Sequence, residues 1–75
     1  MALNNQKDYL FEQIKDLPLS LEFISLADSL QYNTLDEMLK VKVSILLKKP
    51  GFTFHMMQEL VQFLEKKNLA NLLKQ

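Results

Sequence analysis

The chain has no cysteine. A disulfide framework and a thiolate-held metal are therefore both excluded, and its stability must come from packing and hydrogen bonding. It also has no arginine: all nine basic residues are lysines, so the side chain that makes the commonest specific contact to a DNA base is missing. A single histidine, His55, has no second histidine at ligand spacing, and Ser20, Ser25, Ser29 and Ser44 lie outside any G-x-S-x-G nucleophile turn. These absences predict a non-enzymatic domain with no cofactor, no metal and no small-molecule substrate.

Glycine occurs once and proline twice, which argues for helices joined by short turns rather than a β-sandwich. No apolar run approaches the roughly 18 to 20 residues needed to cross a bilayer, and MALNNQKDYLFEQ has no signal-peptide core. A cytoplasmic protein without membrane contacts is expected.

What is present suits one small helical domain. Apolar residues make up 48% of the 75 residues, enough for one core but not for a deep pocket. The net charge is zero, yet residues 1–37 hold two lysines against seven acids while residues 38–75 hold seven lysines against Glu59 and Glu65. Such a split creates a field that can steer a partner even when the total cancels.

Hydrophobic spacing places a first helix over 5–15, with Asn4 or Asn5 as its cap and Tyr9, Leu10, Phe11 and Ile14 on its inner side. It ends before Pro18, because a proline pushes the preceding residue out of the α region. Ser20 caps a helix over 21–30 whose Leu21, Ile24, Ala27 and Leu30 point inward. The tetrapeptide 34-TLDE-37 has the form of a capping box and predicts a helix over 35–39. A further turn over 43–47 carries Leu46 and Leu47. After Pro50-Gly51, Thr53 caps a last helix over 54–67 with Met57, Leu60, Val61 and Leu64 inward, and Asn68 ends it. The tail from Ala70 either docks or frays. The expected core centres on Leu19, Ile24, Leu35, Leu46, Leu60 and Leu64.

From Asp16 onward, "DLPLS", "YNTLDEML" and "ILLKKPGFTFHMMQELVQFLEKKNL" resemble the C-terminal domain of the bacterial RNA polymerase α subunit. The similarity runs without gaps over 16–69 and rests on Leu19, Ser20, Leu35, Glu37, Leu46, Leu47, Lys48, Pro50, Glu59, Leu60 and Leu64. It implies an all-α fold: a compact, SAM-like bundle of four to five helices with a helix-hairpin-helix-type element. Residues 1–15 would then be an N-terminal helix and 16–75 the body of one domain. It also implies a setting in transcription and a face that binds the minor groove of promoter DNA.

The positions matching that face are Glu22, Ser25 and Leu26 on the first main helix, and Thr53, His55 and Met56 at the turn before the last helix. The family carries arginine, asparagine and cysteine at the first three, and glycine, lysine and serine at the last three. Glutamate in place of arginine turns attraction to a narrow minor groove into repulsion. Histidine in place of lysine gives up a permanent charge, methionine in place of serine removes a phosphate donor, and threonine in place of glycine puts a side chain where amides would approach a phosphate.

Two readings follow. In the first, the domain keeps the frame, binds DNA weakly or not at all, and contacts a protein partner of the transcription machinery through a patch of Phe23, Leu26, Phe52, Phe54 and Met56. In the second, it binds DNA without sequence preference, with Lys40, Lys42, Lys48 and Lys49 on phosphates.

Overall fold

Ser20 begins the helical body in this computed structural model, which describes residues 9–74. Its Oγ accepts from the Phe23 amide at 3.1 Å and opens α1 (Leu21–Ser29). The same hydroxyl donates to Glu59 Oε1 at 2.7 Å, and the Ser20 amide donates to Glu59 Oε2 at 2.6 Å. A carboxylate from the middle of the last helix thus sits at the positive end of α1, where the backbone dipole favours it.

The helix leaves through Gln31, in the left-handed region at φ 67°. The Tyr32 amide bonds to the Ala27 carbonyl and the Gln31 amide to that of Asp28, the paired bonds of a Schellman motif. In α2 (Leu35–Leu39) the capping box is complete: the Glu37 amide donates to Thr34 Oγ1, and Glu37 Oε1 accepts from the amides of Thr34 and Asn33. The single-turn α3 (Val43–Leu46) has no side-chain cap; its Val43 amide donates to the Lys74 carbonyl at 2.8 Å instead. That bond docks the C-terminal tail, which carries a 3-10 turn at Ala70–Leu72.

Gly51 turns the chain at φ 82°, a conformation that disfavours any Cβ. Phe52 then enters the core edge-on to Phe23, with ring centroids 6.4 Å apart. Thr53 Oγ1 accepts from the Met56 amide and starts α4 (Phe54–Lys66), which ends at Asn68 (φ 60°) in a second Schellman pair, Leu69 to Leu64 and Asn68 to Glu65.

The described residues are mostly helical, with four α-helices and no strand; one isolated antiparallel bridge joins Gln13 to Thr34. The Cα radius of gyration, 11.8 Å, is close to the roughly 11 Å expected of a folded chain this long. Phe23, Leu35, Met38, Leu46, Leu60 and Leu64 are the large side chains sealed at its centre, and no polar or charged residue among those described is buried.

Three expectations are corrected. The helix over 5–15 does not run through its described part: the chain makes a 3-10 start at Tyr9, a turn at Phe11 and a separate 3-10 turn at Ile14–Asp16. The cause is tertiary, because the Ile14 amide bonds to the Asn33 carbonyl at 2.8 Å rather than back along a helix. Leu10 and Ile14 are still buried, Tyr9 packs edge-on to Phe63, and Lys67 lies 4.3 Å above the Tyr9 ring, but Phe11 is exposed. Asn4 and Asn5, the expected caps, lie outside the described residues. Second, α1 is rotated from its expected phase: Phe23, Leu26 and Ala27 are buried, Ile24 is half-buried, and Leu21 is 81% exposed. Third, Leu19 and Ile24 pack at the margin of the core rather than at its centre.

Candidate functional site

The outer face of α1 and the turn before α4 come together because Leu26 packs under Gly51. A Cβ on that glycine would lie 3.2 Å from Leu26 Cδ1, so the close approach depends on its absence. Around this contact lies an open, shallow surface formed by Leu21, Glu22, Ser25, Leu26, Ser29 and Gly51.

Of the six positions matching the family's DNA face, Glu22, Ser25, Thr53 and His55 are exposed, whereas Leu26 and Met56 turn into the core. The Thr53 hydroxyl is engaged as the α4 cap. His55 shares a polar outer surface of α4 with Gln58, Glu59 and Gln62. The exposed remnant therefore offers one carboxylate, one outward-facing serine and one imidazole, with no lysine among the six positions.

The expected apolar patch does not form as a surface. Phe23, Leu26, Phe52 and Met56 are all at most 9% exposed, and only Phe54, at 79%, faces outward. The physical reason is the tight turn: with Gly51 packed on Leu26, the neighbouring Phe52 is directed onto Phe23, and the α4 register places Met56 beside Leu60 on its inner side.

Among the four lysines expected to meet phosphates, Lys40 follows α2 and pairs with Asp36 at 3.5 Å across one helical turn. Lys42 precedes α3, and Lys48 and Lys49 follow it; Lys42 and Lys48 are exposed, Lys49 half-buried. An exposed i, i+4 pair contributes about 0.3–0.5 kcal/mol, so Lys40 is readily freed.

Two clefts, each about 280 Å³, lie between the N-terminal segment and α1 and between that segment and the tail. Among the described residues no group of three His, Asp or Glu side chains is placed to hold a metal, and no helix is long and apolar enough to cross a membrane.

Two contributors to the site differ from what the sequence leads one to expect. Apolar spacing alone points Leu21 inward, although Leu21, Ser25 and Ser29 recur at i, i+4 and i+8, and the two serines mark that stripe as the solvent side. Glu59 has no local signal, because its partner Ser20 is 39 residues away.

No family model, no curated protein and no solved structure matches the chain.

Proposed function

We propose that this chain is a non-enzymatic protein-interaction domain, built on a frame like the C-terminal domain of the RNA polymerase α subunit and working in bacterial transcription with its DNA contacts dismantled. The observation that carries this reading is the state of the matched face. Glu22 is exposed where the family it resembles presents arginine, and Leu26 and Met56 are withdrawn into the core where that family presents cysteine and serine. A carboxylate on that surface repels phosphates, and side chains buried for packing cannot be recruited without disturbing the fold.

Fluorescence anisotropy with an A·T-rich duplex tests it. The wild-type chain should bind weakly and lose that binding as salt rises, as expected for phosphate contacts alone. The double variant Glu22→Arg, His55→Lys changes two exposed side chains and should bind roughly tenfold tighter, since it returns two cations to the matched positions and removes an anion. A tight, salt-resistant wild-type complex would overturn the reading in favour of a DNA-binding domain.

A further inference from the structure

We infer that the cleft between the N-terminal segment and the C-terminal tail binds single-stranded nucleic acid, with Phe11 stacking on an unpaired base and Lys40, Lys42 and Lys74 on the phosphates around it. This goes beyond the reading above and shares no residue with the surface formed by α1 and Gly51. Leu10 and Ile14 are buried on either side of the turn at Phe11, and they hold the backbone so that the Phe11 ring stays 67% exposed. The ring lines the cleft together with Lys40 and Lys74, beside the apolar side chains of Leu39 and Leu72. Lys42 joins them through the fold: the Val43 amide donates to the Lys74 carbonyl at 2.8 Å, which brings the tail lysine beside the start of α3.

The combination of one open aromatic face with three cations decides the occupant. Every base has a π-face and every nucleotide a phosphate, so an unpaired strand answers both features at once and without regard to sequence. The one acid lining the cleft, Asp36, is already paired with Lys40 at 3.5 Å, and Glu12, next to Phe11 in the chain, does not line it. A duplex is a poorer occupant, because its bases are stacked on one another and offer no free face to the ring. An acidic peptide answers the lysines alone.

The probe is a labelled oligothymidine of about 12 nucleotides, titrated with the full chain and followed by fluorescence anisotropy. Saturable binding is expected. Phe11→Ala, a change at an exposed position, should weaken it by roughly fivefold or more, while Phe11→Trp should keep it. Lys42→Gln and Lys74→Gln, also at exposed positions, should each weaken binding and lower the slope of log affinity against log salt by roughly 0.7. An abasic strand of the same length should bind at least about fivefold more weakly and be indifferent to Phe11→Ala. Oligouridine should bind within about threefold of oligothymidine, because neither stacking nor phosphate pairing uses the 2′-OH. Equal binding of the abasic strand or of a duplex, or an unchanged affinity of Phe11→Ala, would overturn the inference. A preference of about tenfold between the two oligonucleotides would also overturn it, since the sugar would then be read. Polyglutamate that binds as tightly as the oligonucleotide would overturn it in favour of an acidic protein surface.

Discussion

Ser20 and Glu59 show how two side chains far apart in sequence fix the relation of two helices. The Ser20 hydroxyl caps α1 and is itself held by the Glu59 carboxylate, which also takes the Ser20 amide. Glu59→Ala should cost about 1 kcal/mol, the net value of a typical hydrogen bond at a partly solvated site, with Glu59→Gln costing less. Chemical denaturation checks it; the loss in a Ser20→Ala background should be smaller by at least roughly 0.5 kcal/mol, because contacting residues couple. Full additivity would mean the pair does not act as a unit. The two left-handed residues supply a second prediction at this scale. Gln31 and Asn68 both occupy the position that glycine favours at a helix end, and asparagine tolerates it better than glutamine. Gln31→Gly should therefore stabilise the fold by about 0.5–1 kcal/mol and Asn68→Gly by less. Thermal midpoints that rank the two the other way would contradict this account of the caps.

At the scale of elements, α4 organises the core: Met56, Met57, Leu60, Phe63 and Leu64 all face inward, and Leu60 is sealed completely. Leu60→Ala should cost about 2–5 kcal/mol, a large share of a small domain's stability. An unchanged melting temperature would mean that the core is not built around this face. The helices α2 and α4 and the caps Ser20, Thr34 and Thr53 are legible in the sequence because each signal is local: a hydroxyl three residues from the amide it satisfies, a glycine where the turn needs positive φ. What is not legible is decided across the fold. The nine-residue α1 offers two overlapping apolar stripes, and only Phe52 against Phe23 and Gly51 against Leu26 choose between them. The same holds for the N-terminal segment, whose helical spacing yields to the Ile14–Asn33 bond and the Gln13–Thr34 bridge. Of the candidate site, Glu22, Ser25, Thr53 and His55 lie on the surface, while Phe23, Phe52 and Met56 go to the core for the same long-range reason and Phe54 stays outside.

For the whole molecule, the acidic N-terminal half and the lysine-rich C-terminal half give opposite predictions for where a polyanion would touch. The α1–turn surface presents Glu22, and the region around α3 presents Lys42 and Lys48. If the frame is retained and the DNA face dismantled, the two surfaces must respond differently to the same duplex. Amide chemical shifts of the wild-type chain, titrated with A·T-rich DNA at moderate and raised salt, test that claim most directly. The predicted result is no saturable change at Glu22, Ser25, Thr53 and His55, with any weak response confined to residues 40–49 and lost as salt rises. Saturable, salt-resistant shifts at Glu22, Ser25, Thr53 and His55 would contradict it.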